Sequence, residues 1–244
     1  MAMRSANPAL NKKTFAAFGQ TAVSGGTMTI QGTVNKASIM LGCVLLTAFY
    51  SWSSPSAVVL MPVGIFGGLI LAFITIFKKE WAGITGPLYA LFEGLFLGAI
   101  SMYFERKYPG IVINAVMLTF GTLITLLLAY RSGLIKATEN FKLGVTAATG
   151  GIFMLYMASF VLRFFGVHMT FLHDSSLLSI GISFAVVIVA ALNLVLDFDF
   201  IEQGAQYNAP RYMEWYAAFG LMVTLIWLYI EILHLLSKLQ GRGR

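Results

Sequence analysis

Seven runs of mostly apolar residues follow one another along this chain, at about 35–54, 57–77, 84–104, 109–130, 142–165, 175–200 and 212–237. A helix needs roughly 20 such residues to cross a hydrocarbon core about 30 Å thick. Lipid offers no partner to a free backbone N–H or C=O, so a run of this length is a helix. The loops between runs are short, which implies antiparallel neighbours in one bundle. The fold class expected is therefore all-α integral membrane, a seven-transmembrane-helix bundle. Of the 244 residues, 58% are hydrophobic and 11% are charged. A soluble domain carries about 25% charge.

Turn signals separate the runs. Ser53-Ser54-Pro55-Ser56 divides the first two, Lys78-Lys79-Glu80 the next pair, and Arg131 to Asn140 the fourth and fifth. Pro109-Gly110 opens the fourth, with Pro in the first turn, where its missing N–H costs nothing. His168 to Asp174 and Gly204 to Arg211 close the list of links. Residues 1–33 form a polar leader without a secretory apolar core. Its stretch Thr27-Met28-Thr29-Ile30-Gln31 alternates in the manner of a strand. Two readings stay open for this leader: a cytosolic segment against the membrane surface, or disorder. Residues 34–237 are the transmembrane domain and 238–244 a basic tail.

Basic residues set the orientation. With the N-terminus inside, the inner side holds Arg4, Lys12, Lys13, Lys36, Lys78, Lys79, Arg131, Lys136, Lys142 and Arg211. The outer side holds Arg106, Lys107, Arg163, Lys238, Arg242 and Arg244. The bias favours an N-terminus in the cytoplasm. The net charge of +6 thus reads as topology, with no sign of nucleic-acid binding. Membrane lipid is the partner that composition implies.

Glu93, Asp197, Asp199 and Glu231 lie inside or at the ends of these runs, with no Lys or Arg beside them. An ionisable group at membrane depth is costly and marks an ion or proton path by default. Four acids without matching bases favour cations or protons. Glu93 is the deepest, about nine residues or roughly 14 Å into its run. Asp197 lies about 5 Å from the run's end at residue 200, so a solvated helix end competes with a path. Asp199, two residues on, points to a different side. Ser179, Ser183, Val186, Ala190, Asn193 and Asp197 share one face of the sixth run, either for helix–helix hydrogen bonds or for water. Glu231 and His234 share a face with Trp227 and Thr224. Because acids avoid lipid, the third, sixth and seventh runs are expected at the centre. Gly94 with Gly98, Gly64 with Gly68, and Gly144 with Ala148 have the spacing that lets membrane helices approach closely.

Several chemistries are excluded. No Gly-x-Ser-Gly turn surrounds Ser101, the one serine with a rough His partner in His234. No run has a Lys deep within it for a retinal Schiff base, and Lys238 falls in the tail. His168, His173 and His234 are too scattered for a zinc hydrolase. No Gly-rich loop precedes a Lys, which argues against ATP-driven pumping. The single Cys43 allows no internal disulfide. No enzyme is expected, and no cofactor.

Some of these segments resemble a known family. Glu93-Gly94-Leu95-Phe96-Leu97-Gly98, followed by Tyr108-Pro109-Gly110-Ile111-Val112, resembles spans three and four of the Bax inhibitor-1-like (transmembrane Bax inhibitor motif) family. Leu196-Asp197-Phe198-Asp199-Phe200-Ile201 resembles its acidic end of span six, and Leu228-Tyr229-Ile230-Glu231-Ile232-Leu233 its acidic motif in the last span. Residues 28–36 look like the family's bacterial YccA/Bax inhibitor branch. The resemblance implies a bundle with the last helix central. It implies a pH-sensitive calcium leak of the bacterial inner membrane, gated by two acids from the last two spans. Asp197 matches the first acid, with Asp199 as a register alternative. Glu231 matches the second by local motif. Depth along the runs argues otherwise, separating Asp197 from Glu231 by about 20 Å or more. Thr224 and Glu93 then stand nearer the second position, and with calcium as the implied ion Asp197 and Glu93 are candidate calcium contacts, since carboxylates suit Ca²⁺. The rival reading is a membrane regulator without transport, binding other membrane proteins such as a quality-control protease.

Overall fold

A computed structural model describes residues 26–54, 57–166, 174 and 176–242. Residues 1–25, 55–56, 167–173, 175 and the last two lie outside that set, and with them most of the leader and of the link between the fifth and sixth runs. Among the described residues seven helices are long and apolar enough to cross a membrane. They are α1 (Ile30–Ser53), α2 (Ala57–Phe77), α3 (Ala82–Lys107), α4 (Ile111–Arg131), α5 (Glu139–Phe164), α6 (Leu177–Gln206) and α7 (Met213–Arg242). The all-α seven-helix membrane fold is therefore what this sequence adopts.

Local chemistry sets the helix starts. Thr29 caps α1, its hydroxyl accepting from the Gly32 N–H at 2.9 Å. Thr138 caps α5 by accepting from the Phe141 N–H at 3.3 Å. Each side chain satisfies one of the orphan donors of a first turn. Pro109 is not in the first turn of α4, as the sequence suggested. The helix begins at Ile111, after Gly110 at φ +84°. That left-handed conformation suits a residue without a Cβ. The strand-like reading of residues 27–31 also fails. Thr27 makes one isolated bridge with Pro210, and α1 has begun by Ile30. A lone pair of backbone bonds forms no sheet when the helix can satisfy its own donors.

Two helices run past the ends that hydropathy marked. The sixth run was expected to stop at residue 200, but α6 continues to Gln206. The seventh was expected to stop at 237, but α7 continues to Arg242 and takes in Lys238. Polar residues ended the apolar pattern without ending the helix. A Lys is therefore part of the last helix after all.

The chain divides into two compact units. Among the described residues one holds α1 to α3 with the Asp197–Val223 stretch, and the other holds Tyr108–Leu196 with the chain from Thr224 on. In the first unit α3 packs closely on α1 and α2. A Cβ on Gly94 would meet Thr47 Oγ1 and the Val44 carbonyl, and one on Gly98 the Ala48 carbonyl. Across the other side, a Cβ on Gly64 would lie 2.6 Å from the Phe96 amide. Thr75 donates to Thr85 at 2.7 Å between α2 and α3. Tyr89 of α3 meets Phe219 of α7 edge to face, with ring centroids 4.9 Å apart. Gly144 differs from these glycines: a Cβ there meets no described atom within 4 Å.

Burial is concentrated in α7, α3 and α6, while the other four helices leave most of their apolar surface open. Leu46, Phe49, Phe66, Leu128, Phe160 and Phe164 are exposed. On a membrane helix such side chains face lipid, where they cost nothing.

Candidate membrane-embedded carboxylate sites

The acidic residues singled out by the sequence occupy different settings. Asp197 is 1% exposed and lies about nine residues, or roughly 14 Å, inside the end of α6. The solvated helix end is thereby ruled out for it. That alternative falls because the helix outlasts the apolar run. Asp199 is half-buried and accepts from the Gln203 amide at 2.6 Å, one turn along α6.

The small and polar face of α6 is a buried face. Ser179, Ser183, Val186, Ala190, Asn193 and Asp197 are each 4% exposed or less. Phe184 and Ile188, off that face, are open. In the second unit Asn193 donates from Nδ2 to Thr149 Oγ1 of α5 and to the Val189 carbonyl, both at 2.8 Å. The stripe thus includes a real interhelical hydrogen bond.

Glu93 is half-buried on α3 and turned toward α2. A Cβ on Gly68 would come within 2.6 Å of its Oε1. The missing side chain at Gly68 is what leaves room for the carboxyl.

Glu231, on α7 in the second unit, is 4% exposed. The Trp227 indole N–H donates to it at 3.1 Å from one turn earlier. The Tyr156 hydroxyl of α5 reaches both oxygens, at 3.0 and 3.2 Å. Trp227 was legible from helical spacing. Tyr156 was not, because it is 75 residues away in sequence.

Glu214 was missed altogether. It is 2% exposed in the first turn of α7 and forms an ion pair with Lys36 of α1. It also accepts from the Thr29 N–H and hydroxyl. An acid at a helix N-terminus is commonplace, since the helix dipole favours it there. Nothing in its neighbours marked this one as buried. Nearby, Tyr212 precedes α7. Burial, with the Glu80 carboxylate nearby, pushes its phenol above the usual range.

Among the described residues no three of His, Cys, Asp and Glu come together as a metal site would require. Chemically, these settings offer separate carboxylates, buried or half-buried, on apolar helices, with hydrogen-bond donors on those of Asp199, Glu214 and Glu231.

Long apolar helices with acids on their buried faces define a multi-pass α-helical membrane protein. The sequence matches the family profile described as Bax inhibitor 1 like over residues 7–241, and the chain belongs to that family. No curated protein matches it.

Proposed function

We propose that this protein is a pH-sensitive cation leak of a bacterial inner membrane, with calcium among the ions it passes and with its buried acids setting the flux. Asp197 carries the reading. A carboxyl 1% exposed and well inside an apolar helix is expensive to keep unless function requires it. Its face of α6 also presents the side-chain oxygens of Asn193 and Ser183, which suit a cation better than an apolar face would. Glu93 and Glu231 add carboxylates on α3 and α7. A transported ion needs sites weak enough to leave. Calcium held in place takes six or more oxygens, so scattered single carboxylates fit passage better than storage. Protonation would remove the charge that attracts a cation. The placement in a bacterial inner membrane, N-terminus in the cytoplasm, rests on the basic residues and on the bacterial look of residues 28–36.

The test is flux from liposomes holding the purified protein, for Ca²⁺ and K⁺, between roughly pH 5 and 8. The wild type should leak with a pH-dependent rate. Asp197→Asn should lose that dependence. No flux at any pH would sink the reading. It would leave the non-transporting regulator, to be sought by co-purification with a membrane-anchored quality-control protease.

A further inference from the structure

The second unit carries a cation of its own near the buried acid. Lys238, near the end of α7, donates from Nζ to Ser183 Oγ of α6 at 2.7 Å. Ser183 is 4% exposed and belongs to the polar face of α6. A Lys near a helix end in a membrane ordinarily extends its stem so that the ammonium reaches water. This one turns to a buried hydroxyl on the neighbouring helix and is itself half-buried. Glu231 lies two turns earlier on α7, on the same side and about 10 Å along the axis. Asp174 precedes α6, and the Ser176 hydroxyl donating to it at 2.7 Å holds its carboxyl below the usual range. Glu231 is anchored independently by Trp227 and Tyr156.

We propose that Lys238 is a tethered internal cation occupying the Ser183 end of the polar face of α6, so that an ion passing this end must displace its ammonium. Lys238 then keeps the leak slow and discriminates against divalent ions. The inference rests on the cation-leak reading and adds a specificity-determining residue to it. The free ion and the ammonium compete for the Ser183 hydroxyl, at the end of a face that leads toward the Glu231 carboxylate about 10 Å along the axis. Repulsion scales with the product of charges, so Ca²⁺ meets twice the opposition that K⁺ does. The flexible four-carbon stem of Lys lets the ammonium swing aside, as a displaceable occupant must.

The experiment compares wild type, Lys238→Gln, Lys238→Arg and Ser183→Ala, as full-length protein in liposomes. At ~10 Å and an effective dielectric constant of ~20, loss of the charge should raise K⁺ flux about tenfold. Ca²⁺ flux should rise further, on the order of a hundredfold. Lys238→Arg should stay well below Lys238→Gln, because it keeps the charge. Ser183→Ala should raise flux in the same direction but less, and it keeps the idea testable if Lys238→Gln fails to fold. A leaking wild type with flux unchanged or lowered in both Lys238→Gln and Ser183→Ala overturns the role of Lys238. An equal rise for K⁺ and Ca²⁺ overturns the discrimination. Silence from every protein, wild type included, instead overturns the leak reading on which the role depends.

Discussion

The carboxylate of Glu214 accepts from both the backbone N–H and the hydroxyl of Thr29, each at 2.9 Å. Thr29 is the residue that caps α1, and Glu214 sits in the first turn of α7. Lys36 closes the arrangement from the second turn of α1, with its ammonium 5.6 Å from the centre of the Trp215 ring. Just before α1, the Met28 N–H donates to the Ala209 carbonyl at 2.7 Å. Gly32 has no side chain because the Glu214 carboxyl occupies that space. One buried acid therefore fastens the start of the first helix to the start of the last.

Glu214→Gln should be strongly destabilising. The change leaves the Lys36 charge half-buried with no counterion, and loss of one member of a buried pair costs about 3–5 kcal/mol. The amide keeps one acceptor, so a cost of about 2–3 kcal/mol is expected. In a chain of this size that corresponds to a fall of roughly 5–10 °C in Tm. Thermal unfolding in detergent checks it. A Tm within a degree of wild type would mean that water serves Lys36 and Thr29 as well as Glu214 does.

Two glycine substitutions should part company. At Gly98 a new Cβ runs into the Ala48 carbonyl, which is backbone and cannot turn aside. Gly98→Ala should cost about 1–3 kcal/mol through displaced helices. At Gly121 a Cβ meets no described atom within 4 Å. Gly121→Ala should be neutral or stabilising by up to about 1 kcal/mol, because Ala is the better helix former. The paired Tm values decide, and equal shifts would show that α3 does not depend on close approach at Gly98.

Asp197→Asn and Asp199→Asn should differ in flux, not merely in degree of damage. Asp197 lies on the buried face of α6, whereas Asp199 points to another side and takes the Gln203 amide. Asp197→Asn should flatten the pH profile of liposome flux, while Asp199→Asn should retain it. A profile lost in both, or kept in both, would remove the special status of Asp197.

Tyr156→Phe and Glu231→Gln should be coupled. Trp227 donates to Oε1 and the Tyr156 hydroxyl lies between Oε1 and Oε2, so an amide keeps one acceptor for both donors but loses the charge that strengthens them. We expect about 1–2 kcal/mol for Tyr156→Phe and about 2–3 kcal/mol for Glu231→Gln. The double variant should lose less than their sum, since groups in one network are not additive. Thermal unfolding of the four proteins would expose strict additivity, which would show that Tyr156 and Glu231 do not act as a unit.

The seven helices were legible because hydropathy over 20 residues is a property of neighbours in sequence. The buried face of α6 was legible for the same reason, since helical spacing puts Ser183, Asn193 and Asp197 on one side whatever packs against them. The sequence misjudged where helices stop. Glu202 and Gln203 end the apolar pattern, yet α6 continues to Gln206, because polar residues sustain backbone hydrogen bonds as well as apolar ones do. That error made Asp197 look near a helix end, and the same error at α7 made Lys238 look like part of a tail.

What only the tertiary structure decided is which of several equivalent residues find partners. Gly94–Gly98 and Gly144–Ala148 have the same spacing, but a Cβ on Gly94 or Gly98 would collide with α1, while one on Gly144 would meet open space. Glu214 and Thr29 are 185 residues apart, and Tyr156 and Glu231 are 75 apart. Sequence determined that this chain is a set of membrane-spanning helices with acids on some of their faces. It could not pair those acids. Hydropathy is set by neighbours in sequence, whereas a hydrogen bond between helices exists only where packing brings two of them within about 3 Å at one point.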